Sequence, residues 1–326
     1  MADIEIRLHG VRGSIPTPTS SSEIEDKIRS ALSKATPADI ESADSIDQFV
    51  SSMPKVERGC IGGNSTCIQI TIGEHQLFFD AGSGCFAMAK TLFGGPFGKG
   101  QGKAHWFFTH THHDHIVGLP MFGPIYIPGN EFKFVSPISN LYERLVRFQH
   151  FDFFPVPFDS FGSTINFVDL SETPTYKVGE DVFVSWLAND HPGTSFSYRI
   201  EHKGKVVVFS TDAEYKDISF KAMSPVMDFF RGADILIFDA QYVFTDAVQM
   251  KRDWGHSSSF VGIDLALDAE VKELLLFHHD PMHTDVTLLK NLQQARQYLV
   301  NMEPGSNLSI DLAYDGQYIQ LTPEDS

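Results

Sequence analysis

The chain has 326 residues, 42% of them hydrophobic and 21% charged, which is enough for a buried core and ordinary for a globular protein rather than a disordered or fibrous one. A formal net charge of −17 argues against a surface built to grip long nucleic acid, because phosphate contacts dominate that affinity and require a basic face. A small phosphorylated ligand is not excluded, since charge reaches only about 8 Å through physiological salt and a local positive site can operate inside an acidic protein.

In chain order, Met1 to His9 alternates apolar and polar residues as a strand does and contains no apolar signal core. No run approaches the ~20 apolar residues of a membrane span. A cytoplasmic protein without a membrane partner is expected. After a Pro- and Ser-rich turn, residues 17–54 change to helical patterning. Ile24, Ile28 and Leu32 recur every four residues, and Ser22 with Glu25 fits a capping box. Thr36-Pro37 fits a second helix start, and Ser45 with Gln48 fits another capping box. Too short to bury a core of its own, this segment is expected to be a small helical insertion within a single domain spanning 1–326. Cys60, Cys67 and Cys85 fit no CxxC metal spacing, and an odd number argues against a disulfide framework. Buried free thiols are expected.

Thr66–Ile72 and Gln76–Phe79 read as strands around Gly73, followed by the turn Asp80-Ala-Gly-Ser-Gly84. Four later apolar runs each lead into a His or Asp: Trp106–Thr109 into His110, Val206–Phe209 toward Asp212, Ile235–Phe238 into Asp239, and Leu274–Phe277 into His278. Each is long enough for one buried strand and short for a helix. Their shared ending predicts several strand ends converging on one polar site. Strands buried on both faces need covering helices, and Val261–Ala269 and Val286–Leu299 supply amphipathic patterns. The fold class is therefore α/β, in layers of sheet and helix. Between these runs lies a Phe-rich stretch, Phe148, Phe151, Phe153, Phe154, Phe158 and Phe161. It reads either as core or interface packing or as a platform on which a nucleobase stacks.

The densest chemistry is His110-Thr-His112-His113-Asp114-His115, five ionisable side chains in six positions after a buried strand. Such a segment is costly to pack unless something binds it. Imidazole and carboxylate suit Zn²⁺, and also Mn²⁺ or Fe. In extended backbone, positions 110 and 112 point the same way and can share one ion. Asp114 and His115 lie past the bend and can reach a second.

HxHxDH after an apolar strand resembles the signature of the metallo-β-lactamase superfamily. Asp80 in Asp-Ala-Gly-Ser-Gly before it, and His191 in Asn-Asp-His-Pro-Gly, Asp212 in Ser-Thr-Asp and His278 in Phe-His-His-Asp-Pro after it, stand in the matching order. Gly10-Val-Arg-Gly-Ser14, Gly62-Gly-Asn-Ser-Thr66, Asp239-Ala-Gln-Tyr242 and Gly255-His-Ser-Ser258 look most like the phosphodiesterase branch, which includes ribonuclease Z and cyclic phosphodiesterases. The resemblance implies a four-layer αββα sandwich and two divalent metal ions. His110, His112 and His191 would bind one, Asp114, His115 and His278 the other, and Asp212 would bridge them. It also implies a hydroxide between the ions. Two divalent ions, two carboxylates and one hydroxide leave a net charge of about +1, suited to a phosphodiester monoanion. His256 and Asp239 match that branch's catalytic pair, and Asp114 can also orient the nucleophile. His278 is preferred over His279 because in the resembling families the ligand stands three positions before Pro, here Pro281. Asp80 is expected to orient a ligand imidazole. His9, Asn64 and Ser65 are candidates for the pocket mouth, and His283 and Asp285 for hydrogen bonds around the site.

The function expected from this reading is a metal-dependent phosphodiesterase acting on a small, cyclic or short nucleotide-like diester. A homodimer is expected from the resemblance alone. A ribonuclease Z activity competes, against the acidic charge and the lack of an obvious basic arm for tRNA. Thioester or lactone hydrolysis shares the metal ligands but does not need an Asp239–His256 acid. A metal-binding sensor without turnover is the non-enzymatic alternative.

Overall fold

The computed structural model describes residues 4–217, 219–243 and 253–322. Two seven-stranded sheets organise them. The first begins with β1 (Ile4–Gly10), β2 (Cys67–Ile72), β3 (His75–Phe79), β4 (Lys103–Phe107), β5 (Glu131–Ser136) and β6 (Thr164–Asp169). The second takes β7 (Thr175–Val178), β8 (Val182–Asn189), β9 (Ser195–His202), β10 (Lys205–Ser210), β11 (Ile235–Asp239), β12 (Glu273–Phe277) and β13 (Ser309–Leu312). The last strand, β14 (Tyr318–Leu321), returns to pair with β1, so the chain's two ends close one edge of the first sheet. Strands β3 to β6 run parallel, as do β10 to β13.

Period-2 alternation sorts the apolar runs into two cores. Phe79 and Phe107 point between the sheets, stacked at 5.0 Å, and meet Phe209 and Tyr198 of the second sheet at 6.0 and 5.4 Å. Their neighbours Phe78 and Trp106 point outward with Phe132 and Phe134 into a second core. That outer core is covered by the helix Gly84–Leu92 and the 3₁₀ turns at 119–126. On the far side of the second sheet, the helices Phe220–Phe230, Ser259–Asp268 and Asp285–Met302 bury Phe230, Ile263, Leu292 and Ala295. The order of layers is helix, sheet, sheet, helix, the sandwich that the resemblance implied. All four runs that lead into His or Asp enter strands, and the two expected helices are present as Ser259–Asp268 and Asp285–Met302.

The segment 17–54 is helical; Thr36 caps the 3₁₀ turn Pro37–Ile40 as expected, while the two longer helices start at other residues than expected. The first helix, Ser21–Lys34, is capped by Ser20 with Glu23, not by Ser22 with Glu25, because Ser22 already lies in the first turn. The helix Ala43–Ser52 is capped by Ser42 with Ser45 rather than Ser45 with Gln48. Neither helix buries a residue fully, and Ile24, Ile28 and Leu32 are 48%, 54% and 68% exposed. The segment is tied down instead by Lys27, which donates to the Val56 carbonyl and reaches Asp285 at 2.8 Å. Cys60, Cys67 and Cys85 are free thiols, the last two buried. No helix of the described residues is long and apolar enough to cross a membrane.

Trp106 joins the outer core to the strand ends. Its ring meets Phe78 and Phe122 edge-on at 5.4 and 4.9 Å, and its Nε1–H donates to the Asp80 carbonyl at 3.1 Å. Trp106→Ala is expected to cost about 3–5 kcal/mol of stability, read from the urea unfolding midpoint. A loss below about 1 kcal/mol would show that this cluster does not carry the outer core.

Candidate metal centre

The carboxyl ends of the parallel strands open onto one cleft, where open α/β sheets generally bind ligands. β3 ends before Asp80, β4 runs on to His110, β10 runs on to Asp212, β11 ends at Asp239, and β12 ends before His278. His191 sits in the turn between β8 and β9. A single helical turn, His113–Ile116, follows His112 and carries Asp114 and His115 inward while leaving His113 exposed at the rim.

All seven residues of the expected ligand set meet there. Asp212 divides its carboxylate between two groups. Its Oδ2 lies 3.6 Å from His110 Nε2 and 3.7 Å from His191 Nε2. Its Oδ1 lies 3.2 Å from His115 Nε2 and 3.3 Å from His278 Nε2. His112 Nδ1 stands 3.0 Å from His191 Nε2, completing the first group. Asp114 Oδ2 lies 3.3 Å from both His115 Nε2 and His278 Nε2, completing the second. Ligands at the usual ~2.0–2.1 Å from a tetrahedral ion are about 3.3 Å apart, so these spacings fit a divalent cation in each group.

The hydrogen bonds behind these atoms decide which imidazole nitrogens are bare. His191 Nδ1–H donates to the Gly255 carbonyl at 2.9 Å, and His278 Nδ1–H to Gln241 Oε1 at 2.9 Å. The Gln241 amide is oriented in turn by its Nε2–H, which donates to Ser14 Oγ at 3.0 Å. His115 Nδ1–H donates to Asp80 Oδ2 at 2.8 Å. Asp80 also accepts from the Thr109 hydroxyl at 2.8 Å, which spends that hydroxyl's only hydrogen. Thr109 Oγ1 must therefore accept from His110 Nδ1–H, 3.0 Å away. In the neutral rings the four Nε2 atoms then carry lone pairs aimed at carboxylate oxygens. His110 Nε2 is buried with no hydrogen-bond partner, an omission that ordinarily costs about 1–3 kcal/mol. A cation satisfies every one of these acceptors at once.

Electrostatics point the same way. Burial holds His110, His112 and His191 below the ordinary imidazole range, so these rings stay neutral. Burial also opposes a charge on His115, but Asp212, Asp114 and Asp80 around it prevail and raise its pKa well up. Asp114 and Asp212 are held low against their burial by the imidazoles facing them. The metal-free cluster thus keeps a proton on His115, where a bound cation would replace it.

Beside the cluster, His256 Nδ1 pairs with Asp239 Oδ2 at 2.9 Å and lies 3.9 Å from Asp212 Oδ2. Burial works against its charge, yet Asp239 and then Asp212 and Asp114 bring its pKa up to about 9. Its ring stacks on His278 at 5.0 Å. Asp239 is fixed by the Gln241 backbone N–H at 3.1 Å. Ser14, Thr111, His112, His113, Asp114, Asp212 and His256 line a cleft of about 390 Å³.

Other expected residues lie elsewhere. His279 is buried and turned away, its Nε2–H donating to the Ala313 carbonyl at 2.8 Å. His9, Asn64 and Ser65 do not line the cleft: His9 pairs with Gln69, Asn64 with Asp315, and Ser65 with Ser83. Asp285 faces Lys27 and the Ile61 backbone, on the insertion side of Arg12. His283 contributes its carbonyl to Arg12. Conversely, the sequence reading assigned no role to Thr109, Gln241, Ser14 or Gly255. Ser14 donates its backbone N–H to Asp114 Oδ2 at 2.7 Å. Ser14, Gln241 and Gly255 do stand in the quoted motifs Gly10-Val-Arg-Gly-Ser14, Asp239-Ala-Gln-Tyr242 and Gly255-His-Ser-Ser258, but nothing there says which ligand each one holds.

At Gly255 a left-handed φ of +83° combines with a close approach, since a Cβ would lie 2.1 Å from His191 Nδ1. Gly255→Ala is expected to weaken Zn²⁺ binding about 10–100-fold by turning that ring; an unchanged affinity by calorimetry would contradict this role. Because His115 holds a proton in the metal-free protein, Zn²⁺ binding at pH 7 should release about one proton per protein. Affinity should rise with pH until the raised pKa of His115 is passed. Binding heats that are identical in buffers of unlike ionisation enthalpy would sink that account.

Comparison with known proteins places these observations in a family. Residues 75–279 match the model described as the beta-lactamase superfamily domain. The ribonuclease Z of Thermoplasma volcanium is 27% identical over 241 residues, covering 56% of this chain and 72% of that protein. The probable metallo-hydrolase YhfI of Bacillus subtilis is 26% identical over 227 residues, covering 68% and 84%. The crystal structure of YhfI, a metallo-beta-lactamase fold protein, superposes with a TM-score of 0.62 at 16% identity over 98% of this chain and all of that one. Unliganded yeast PDE1 gives the same TM-score at 12% identity, again over 98% and 100%.

Proposed function

The chain belongs to the beta-lactamase superfamily, and on that premise we propose that it is a binuclear metal-dependent phosphodiesterase acting on a small, nucleotide-like diester. The observation that carries the reading is the Asp239–His256 pair at 2.9 Å on the wall of the metal cleft. Hydrolysis of a phosphodiester expels an alkoxide, which needs a proton; a thiolate leaving group does not. A buried imidazole with its pKa raised to about 9 holds that proton at neutral pH.

In this reading His110, His112 and His191 would hold one cation, Asp114, His115 and His278 the other, and Asp212, whose two oxygens face the two groups, would serve both. Two divalent ions there, Zn²⁺ first and Mn²⁺ or Fe as fitting substitutes, would supply Lewis-acid charge and lower the pKa of water. The protein's own groups do the rest. Asp80, Gln241 and the Gly255 carbonyl fix the ligand tautomers. The Ser14 backbone N–H orients the Asp114 carboxylate, which can align the attacking water. Asp239 keeps the His256 Nδ1–H engaged, leaving the Nε2–H to pass to the leaving oxygen as the P–O bond breaks.

The similarity to ribonuclease Z favours a second reading, endonucleolytic cleavage of RNA. The net charge of −17 weighs against a long polyanion, so the small diester is preferred.

The test is turnover by the metal-loaded protein of nucleotide diesters, bis(p-nitrophenyl) phosphate, structured RNA, a thioester and a lactone. Asp212→Ala should abolish diester hydrolysis. His256→Ala should lower kcat on nucleotide diesters by about 10²–10⁴. It should lower it far less on bis(p-nitrophenyl) phosphate, whose leaving phenolate scarcely needs a proton. Thioester or lactone turnover indifferent to His256, with diesters inert, would overturn the reading.

A further inference from the structure

A second cleft of about 550 Å³ adjoins the metal cleft and shares Thr111 and His113 with it. The helix Leu141–Phe148 supplies Arg144 and Arg147, three positions apart and so on one face. Phe148 and Phe153 form the apolar wall. The volume falls within the range of about 300–1,000 Å³ usual for small-molecule sites.

Two features of this cleft are unusual for the chain that carries it. Acidic residues outnumber basic ones 42 to 25, yet among the described residues neither Arg144 nor Arg147 forms an ion pair. Arg144 spends its Nε–H on Asn140 Oδ1 at 2.8 Å and an Nη1–H on Thr111 Oγ1 at 3.2 Å, which ties it to the loop of metal-centre residues. Arg147 is exposed beside it. Next to these cations Phe153 is 78% exposed, and Phe148 lies 5.9 Å from the His113 ring. An exposed phenylalanine against unneutralised guanidinium groups offers a π face and an anion site together, the two features that stacking proteins present to a nucleotide. Phe158, by contrast, is buried against Phe134 and Phe161.

We propose that this cleft is a nucleoside-phosphate subsite, in which Phe148 and Phe153 stack a base and Arg144 and Arg147 take a second phosphate adjacent to the scissile one. The inference rests on the phosphodiesterase reading and deepens it. A 3′,5′-cyclic mononucleotide has one phosphate, which the metal centre occupies, and leaves the arginines without a ligand. A linear dinucleotide carrying a terminal phosphate satisfies both clefts, so the preferred substrates are short, phosphate-terminated oligonucleotides.

The first probe is inert: adenosine 3′,5′-bisphosphate against adenosine 5′-monophosphate, titrated by calorimetry into the metal-loaded protein. The bisphosphate should bind about tenfold tighter, the scale of one charge-assisted hydrogen bond. Arg147→Gln, an exposed change checked by circular dichroism, should erase that advantage, and Phe153→Ala should weaken both nucleotides relative to inorganic phosphate. The same tenfold preference should appear in kcat/KM for pApA over ApA. Equal binding of the two nucleotides, or an advantage that survives Arg144→Gln and Arg147→Gln together, overturns the subsite while leaving diester hydrolysis in place. Selective binding without turnover of any diester would uphold the subsite and overturn the phosphodiesterase reading instead.

Discussion

Acceptor atoms that face one another across 3.2–3.3 Å repel, and the fold is arranged so that they cannot move apart. His278 Nε2, Asp114 Oδ2, Asp212 Oδ1 and, once its proton is lost, His115 Nε2 form such a group, and each is held from behind. Asp80 and Gln241 clamp the two rings by their other nitrogens, Ser14 restrains Asp114, and the Thr211 hydroxyl donates to Asp212 Oδ1 at 2.6 Å. Every one of these supporting groups lies at a strand end or in the loop that follows it. The arrangement makes sense only with positive charge at its centre. Without a metal the structure places a proton on His115, and with one the same oxygens and nitrogens become ligands.

The backbone carries part of this constraint. Ser14, Asp80, Asp212 and His278 all adopt positive φ, between +53° and +62°, a conformation uncommon for residues other than glycine. They make up half of the eight such residues among those described. A strand end that turns sharply into the left-handed region aims its side chain across the cleft instead of along the sheet. Strain of that kind persists only where surrounding structure over-determines it, and here the two cores do so. Trp106 is the point of contact, filling the outer core while binding the Asp80 carbonyl.

Charge is organised on two scales. Over the whole chain it is strongly negative, which disfavours a long polyanion at a distance. Within a few ångströms of the cleft, cations held by the proposed ligand set, together with His256 and the Arg144–Arg147 face, would reverse that balance. Short screening lengths let these scales coexist.

What the sequence determined by itself was local: strands from period-2 and short apolar runs, helices from period-3.6 patterning, and a dense ligand motif in residues 110–115 that is too costly to pack without a purpose. The convergence of four runs on His or Asp was also legible, because strand ends in a layered fold share one edge. Helix starts in 17–54 were less so. Several serines there have the spacing of a cap, and only the path of the chain selects Ser20 and Ser42. The exposure of Ile24, Ile28 and Leu32 was not legible either, since periodicity marks a face without saying what covers it. Tertiary structure alone decided the roles of Thr109, Gln241, Ser14 and Gly255. Each acts through one hydrogen bond to a residue that folding brings close, as Gln241 does for His278. It likewise turned His9 and Asn64 away from the cleft and set Arg147 and Phe153 beside it. Ligand identity is written in residue type and short spacing. The tautomer, tilt and charge of each ligand depend on partners distant in sequence, and only the packing of two sheets supplies them.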